Sequence, residues 1–407
     1  MRKSLYEAIR EGRFVEIAAG EFDALRENGV IVDDDVDEYA VLAGNYDRAV
    51  SAESEVYDLT LLPSLDCNLR CWYCFETHVV GSRMDASVRE AVFRHVELVC
   101  RRDHIKYIRV ELFGGEPLLY FREELYPLLR RIKDLAASRD KEASFFFVTN
   151  GVCITDEMIP LFAELNAGFQ ISIDGYREKH NAVKKIPGSD EDVYGRVIRS
   201  IHRLAESYGT YINLRINYDD QTLHHIEDVI RDIIDINPQR LGIHLERVWQ
   251  TARDGGRRYD MSRVLAFIMA NGFTVSYMNL HRKHVSCKAS NANQAVISFN
   301  GDVYKCSGRD FSEKHREGRL EADGRIEWER AKLDRRMGIR TFDNALCRGC
   351  NLLPLCCGPC CQKQIDSPGE YERYCQKRLM EISLEDYLIY QFKNEILRRK
   401  IYESQHD

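Results

Sequence analysis

The chain has 407 residues, 44% of them hydrophobic and 30% charged, and 65 acidic against 58 basic side chains leave a net charge of −7. No apolar run nears the roughly 20 residues that a membrane helix needs, and the opening MRKSLYEAIREGRF lacks the apolar stretch and cleavage site of a secretory signal. The charges are interspersed without a basic stripe, so neither nucleic acid nor membrane is an expected partner, and a cytoplasmic protein too long for one ordinary core is expected.

Residues 1–55 alternate short helical patterns with acidic turns such as ENGVIVDDDVDE and carry no candidate ligands, which marks an accessory segment. From Tyr57 six strand patterns follow, YDLTLLPSL, YIRVELFGG, SFFFVTNG, GFQISIDG, YINLRINY and LGIHLERV. Between them lie stretches with apolar residues at helical spacing, such as DASVREAVFRHVELV and EELYPLLRRIKDLAA. Strand and helix in steady succession predict an α/β fold with a parallel sheet, whose functional residues gather at the C-terminal strand ends. Six units predict a partial (β/α)6 barrel of the TIM type over 56–280, open on one side. Beyond about 280 cysteines, glycines and short turns take over, around a predicted hairpin QAVISFNGDVYKC with its turn at Asn300-Gly301. A cysteine-rich, metal-stapled domain is expected over 281–378, because such a segment has too little apolar material to hold itself together. One amphipathic helix is expected in the tail, 379–407.

Fourteen cysteines in a chain without an export signal point to metal or redox chemistry. Three lie at Cys67, Cys71 and Cys74 and nine between Cys287 and Cys375, while Cys100 and Cys153 stand alone and read as small buried residues. The run Cys67-Asn-Leu-Arg-Cys71-Trp-Tyr-Cys74-Phe follows the first strand, so a loop at the barrel mouth would carry three thiolates on one small concave surface. A four-iron four-sulfur cluster takes four thiolates, and three leave one iron open to an external ligand. Zinc, the alternative, prefers paired Cys-x2-Cys knuckles with a fourth ligand nearby.

This run resembles the Cys-x3-Cys-x2-Cys signature of radical S-adenosylmethionine enzymes, and the resemblance extends over about residues 57–250. It implies an iron-sulfur cluster on Cys67, Cys71 and Cys74, with S-adenosyl-L-methionine bound through its amino acid end to the open iron. One electron would then split the cofactor into methionine and a 5′-deoxyadenosyl radical that removes hydrogen from an unactivated carbon, drawing on an electron donor of flavodoxin or ferredoxin type. Phe113-Gly114-Gly115-Glu116-Pro117 after the second strand resembles the family's Gly-Gly-Glu motif, which receives the cofactor's ammonium group; glycine lets the backbone approach closely. Thr149-Asn150-Gly151 and Ser172-Ile173-Asp174-Gly175 resemble its ribose- and carboxylate-binding strand ends, and Arg215 is placed to pair with the cofactor carboxylate. Asn150, Ser172, Asp174 and Arg215 are the residues so implied. Trp72, Tyr73 and Phe75 are expected to shield the cluster by packing.

The second cysteine field, Cys287, Gly301, Cys306, then Cys347-x2-Cys350-x5-Cys356-x3-Cys360 and Cys375, resembles the SPASM domain of radical S-adenosylmethionine enzymes that modify peptides and proteins. That resemblance implies two auxiliary four-iron four-sulfur clusters, three in all. Cys347, Cys350, Cys356 and Cys375 would hold one, and Cys287, Cys306 and Cys360 would give three ligands of the other. Where related chains carry a further cysteine six residues before Cys287, this one has His281. The inner cluster either keeps an open iron or takes His281, Cys357 or Cys361. The sulfatase-maturing branch places a catalytic aspartate directly after the hairpin cysteine; Ser307 stands here, with Asp310 off register.

Together these features predict a peptide maturase that forms a thioether, carbon–carbon or carbon–oxygen crosslink in a ribosomally made precursor peptide. Residues 1–55 would help to hold its leader by adding a strand to a sheet edge. Sulfatase maturation, assembly of a peptide-derived cofactor, and a non-catalytic iron-sulfur electron-transfer scaffold are the alternatives. The general base stays open among Asp310, His281, His284 and Tyr304.

Overall fold

All six expected strands form, and they pair in parallel in chain order. They are β1 (Val56–Leu62), β2 (Tyr107–Leu112), β3 (Glu142–Thr149), β4 (Gly168–Ile173), β5 (Ile212–Tyr218) and β6 (Leu241–Arg247). The computed structural model describes residues 3–27, 31–251, 260–278, 280 and 286–403. Two compact units are present, 1–45 and 46–407. In the smaller, the regular structure among the described residues is helical, with α-helices Lys3–Arg10 and Ala19–Glu27. No strand forms among its described residues.

In the larger unit the expected helices form between the strands. The first, Ala86–Cys100, starts where the Asp85 side chain accepts from Val88 N, satisfying one of the free N–H groups of the first turn. The second, Tyr126–Ala137, has Pro127 in its first turn, where the missing N–H costs nothing. Phe121, Phe147, Phe162 and Phe169 pack as one aromatic cluster, with centroids 4.7 Å apart for Phe121–Phe162 and 4.9 Å for Phe162–Phe169, and tie the turn Phe121–Leu125 before the second helix and the helix Ile159–Leu165 to β3 and β4.

The sheet is larger than the sequence pattern shows. A seventh parallel strand, β7 (Val275–Tyr277), joins β6, and β8 (Gln294–Ser298) joins the other side of β1 in parallel. The expected hairpin is β8 with β9 (Asp302–Tyr304), followed by β10 (Gly318–Leu320) and β11 (Ile326–Trp328), all antiparallel. Its turn is wider than a two-residue one, since Ile297 pairs with Val303, and of the pair Asn300-Gly301 only the glycine takes a positive φ, +81°. The cysteine-rich region therefore begins on the barrel sheet itself. Among the described residues the sheet stays open, with β7 and β11 at its two edges.

The β7 edge is covered by the tail helix, Leu384–Glu403. Residues 387, 390 and 394 share one face of that helix. Asn394 Oδ1 accepts from Val275 N at 2.9 Å, the Tyr390 hydroxyl accepts from Tyr277 N at 3.0 Å and donates to Val275 O at 2.7 Å, and the Tyr387 hydroxyl accepts from Leu280 N at 3.2 Å. An edge that would otherwise present free backbone groups is closed by side chains.

On the other flank, the turn between β10 and β11 sits against the first helix. His95 Nδ1 donates to Gly324 O at 2.8 Å, which leaves Nε2 to accept from the Tyr57 hydroxyl at 2.7 Å. Burial pushes the His95 pKa below the usual imidazole range. The folded protein thus keeps this ring neutral where the unfolded chain binds a proton. Stability from this site is complete above about pH 6.5 and declines as pH falls below it. Denaturation midpoints at about pH 7.5 and about pH 5.5 are expected to differ in that sense, and His95→Gln to narrow the difference; an undiminished difference in the variant would refute the assignment.

Candidate active site

The C-terminal ends of the barrel strands converge on one cavity of about 410 Å³. Its lining takes Cys67, Cys71 and Cys74 from the loop after β1, Gly114 and Gly115 after β2, Thr149 and Asn150 at the end of β3, Ser172 from β4, Arg215 and Asn217 from β5 and Arg247 from β6. Ser307 and Gly308, directly after Cys306, complete it. Of the residues singled out in the sequence, the three cysteines, Gly114, Gly115, Asn150, Ser172 and Arg215 are brought together at this wall. Glu116 and Asp174 stand behind it.

Glu116 is 1% exposed, and its carboxylate accepts from Thr149 Oγ1 (2.7 Å), Asn150 N (2.8 Å) and Leu118 N (3.1 Å). Burial raises its pKa against these hydrogen bonds. It ties the ends of β2 and β3 together and presents no oxygen to the cavity. The preceding turn clasps the cysteine loop at both ends. Glu116 N donates to Asp66 O, just before Cys67, and Gly115 N donates at 2.7 Å to Glu76 Oε2, two residues after Cys74. Glu76, absent from the sequence expectations, is thereby placed at the site, and burial pushes its carboxyl up to about 7.

Asp174 accepts from the Tyr73 hydroxyl at 2.6 Å, Asn217 Nδ2 donates to that hydroxyl at 2.9 Å, and Arg215 Nε donates to Asn217 Oδ1 at 3.0 Å. Arg215 also lies 4.0 Å from Glu246. Burial alone would raise the Glu246 carboxyl, but the hydrogen bond with His244 and the Arg215 charge outweigh it and hold it low. Lys184, likewise unforeseen, is buried in the cavity wall, where Nζ donates to Ser172 O at 2.7 Å and to Ser172 Oγ at 2.6 Å. Of the three aromatic residues expected to shield by packing, Tyr73 and Phe75 line the cavity, whereas Trp72 does not and is 61% exposed. Tyr73 is a hydrogen-bonding member of the network as well as a packing residue.

Burial pushes the Cys67 thiol up to about 12, with the Glu116 charge adding to it, and Cys71 up to about 11, where Lys184 pulls the other way. Without metal these thiols resist ionising, so metal must displace their protons. Among the described residues no three His, Cys, Asp or Glu side chains converge on the position of a single ion. The fit to a cluster therefore rests on the donor set: three thiols on one loop beside a glycine cradle.

Downstream, burial pushes Cys306 up to about 11, and the charges of Cys360 and Cys287 add to it. Cys361 is raised by burial and by the same Cys287 and Cys360. Cys347 is raised by burial and by Cys375 and Cys350, and Cys356 to about 11 by burial and by Cys347, Cys375 and Cys357. The thiols thus fall into two groups. Cys100 is buried and Cys153 partly so, both packed on the hydrophobic core. Asp310 is hydrogen-bonded to His315 and, at 3.1 Å, to Ser312, and the Tyr304 hydroxyl donates to Phe311 O; neither lines the cavity. His281 and His284 lie outside the described residues.

Residues 61–233 match the radical SAM superfamily. This chain is a radical SAM enzyme. Its cofactors are S-adenosylmethionine and the four-iron four-sulfur cluster of that family. It is 21% identical over 345 residues to the radical SAM cyclopropyl synthase TigE of Paramaledivibacter caminithermalis, covering 76% of this chain and 69% of TigE. The anSMEcpe structure with bound AdoMet superposes with a TM-score of 0.61 at 20% identity, over 86% of this chain and 99% of that one. Streptococcus suis SuiB bound to its precursor peptide SuiA superposes with a TM-score of 0.52 at 15% identity, over 90% and 86%. The fold of this radical SAM enzyme, a parallel α/β partial barrel followed by a cysteine-rich region, is shared with both. No helix among its described residues is long and apolar enough to cross a membrane.

Proposed function

We propose that this radical SAM enzyme is a maturase that crosslinks a ribosomally made peptide through a thioether, carbon–carbon or carbon–oxygen bond. The observation that carries the reading is the shared cavity: the cysteine triad and the Ser307–Gly308 segment behind Cys306 line the same space, so a side chain held there lies between the two cysteine fields. The likeness to TigE and SuiB supports it, the first by its name a cyclopropyl synthase and the second seen with a precursor peptide. In this reading residues 56–280 make the radical, 281–378 hold two auxiliary clusters, and 1–55 and 379–407 are accessory.

Cys67, Cys71 and Cys74 would hold the cluster, which together with S-adenosylmethionine supplies a 5′-deoxyadenosyl radical able to take hydrogen from an unactivated carbon. The chain's own residues orient and protect. Gly114 and Gly115 expose backbone to the cofactor's ammonium, Arg215 offers its guanidinium to the carboxylate, and Asn150 and Ser172 stand for the ribose. Tyr73 Oη, fixed between Asp174 and Asn217, stiffens the loop that carries the triad, and the Gln250 side chain closes on Tyr73 O at 2.6 Å. Such positioning is the protein's contribution where the cofactor carries the chemistry. Removal of one hydrogen and closure of the new bond leave one electron and one proton to dispose of. A protein of flavodoxin or ferredoxin type would donate the electron that splits the cofactor, and the auxiliary clusters would take up the one released by bond closure, with the proton passing to solvent.

Sulfatase maturation is disfavoured by Ser307 in the place of the catalytic aspartate and by the engagement of Asp310 with His315 and Ser312. The reading is tested with a short peptide encoded beside this gene. Incubated with reduced enzyme and S-adenosylmethionine, the peptide is expected to lose two hydrogens per crosslink by mass spectrometry, and a deuterated peptide to deliver deuterium into 5′-deoxyadenosine. Cofactor cleavage without deuterium transfer from any such peptide would overturn the choice of substrate. A sulfatase peptide oxidised in its place would establish the alternative.

A further inference from the structure

We propose that Cys361 is the fourth thiolate of the inner auxiliary site, completing the set begun by Cys287, Cys306 and Cys360. This rests on the reading of the cysteine-rich region as a holder of iron-sulfur clusters. The helix Cys361–Asp366 packs against the turn Lys288–Ser290 that immediately follows Cys287, so tertiary contact returns Cys361 to a cysteine far away in sequence. Cys361 is fully buried, and the thiols within its electrostatic reach are Cys287 and Cys360. Cys357, the other spare cysteine, interacts with Cys356 of the outer group.

A second observation points to a ligand at the same place. Arg336 is 0% exposed, Nε donates to Glu317 Oε1 at 2.7 Å and Nη2 donates to Gln362 Oε1 at 2.7 Å. Its third nitrogen, Nη1, has no hydrogen-bond partner, and Cys361 and Cys306 lie within reach of its charge. Buried donors are rarely left so. An anionic cluster with thiolate and sulfide acceptors would satisfy Nη1, as hydrogen bonds to cluster sulfurs do elsewhere. Four thiolates also close the coordination shell. The inner site would then have no open iron for a substrate thiolate, and its duty would be to carry electrons.

The test uses the full chain with Cys67, Cys71 and Cys74 replaced by alanine, so that only the auxiliary clusters remain after anaerobic reconstitution. This parent is expected to hold about eight irons per chain. Adding Cys361→Ala is expected either to remove about half of the iron or, after mild oxidation, to give the electron paramagnetic resonance signal of a three-iron cluster that the parent lacks. Cys361→Ser, a smaller change, should keep the iron and shift the reduced-cluster spectrum, and circular dichroism shows whether each variant is folded. Unchanged iron and an unchanged spectrum in both variants would overturn the proposal, as would the same loss from Cys357→Ala or His281→Ala in their stead. A parent that binds no iron overturns the auxiliary-cluster reading itself, and this proposal with it.

Discussion

Replacing Cys67, Cys71 and Cys74 together by alanine is expected to reduce 5′-deoxyadenosine formation to background and to remove about four irons per chain, while the far-ultraviolet circular dichroism stays unchanged. The fold tolerates the change because the triad sits on a loop that contributes little to the core. Leu59, Leu61, Leu62, Leu65 and Leu69 around it carry the packing, and each is almost fully buried. Single replacements are expected to do the same, since a cluster that must keep one iron free for the cofactor has no ligand to spare. The measurement is chromatographic detection of 5′-deoxyadenosine under dithionite with iron determined on the same sample. Cofactor cleavage at the parent rate in the triple variant would remove the triad from the mechanism.

Gly115→Ala is the second large effect, and its cause is steric. At φ +50° a Cβ on residue 115 would lie 2.1 Å from Asp66 O and 2.8 Å from Asp66 C, backbone atoms of the cysteine loop. No rotamer relieves a clash with backbone, so the loop must move. Asp66 O is also the acceptor of Glu116 N, and Gly115 N is held by Glu76; displacement at this point shifts Cys67 and slackens both ends of the clasp. A shift of the order of 1 Å in a positioned group costs about 100-fold in rate, and we expect at least that loss in 5′-deoxyadenosine formation, with weaker cofactor binding by calorimetry. Gly188→Ala separates the two contributions. Gly188 also has a positive φ, +74°, but nothing lies within 4 Å of its added Cβ, so it carries only the dihedral cost of about 1–2 kcal/mol. Equal activities for the two variants would show that the contact with Asp66 is not what matters.

The six barrel strands were legible because each is a short stretch rich in apolar and β-branched residues, alternating with polar ones in β2, β4 and β5, that recurs with a helical pattern between. β7 was not. It has three residues, and what makes it a strand is pairing with β6 and the side chains of Tyr390 and Asn394, more than a hundred residues further on. β8 was read as half of a hairpin and is that, but its partnership with β1 joins residues more than two hundred apart. Periodicity reports which face of an element is buried and says nothing of the neighbour that buries it.

The site divides in the same way. The cysteine spacing and the Gly-Gly-Glu turn are local, and their chemistry was visible in a few consecutive residues. Glu76, Lys184 and Asn217 carry no local mark of function. Lys184 reads as one of two adjacent lysines near a turn until the fold lays its ammonium on Ser172, and Glu116, placed at the cofactor from its motif, is found tying β2 to β3. The sequence by itself determined the cluster-bearing loop, the succession of parallel units and the richness in thiols, because those depend on residue type and short-range spacing. Only the tertiary structure decided that Cys361 lies beside Cys287 and Cys360, and which polar side chains reach the cavity. Those outcomes depend on long-range packing, which brings together atoms whose separation along the chain carries no signal.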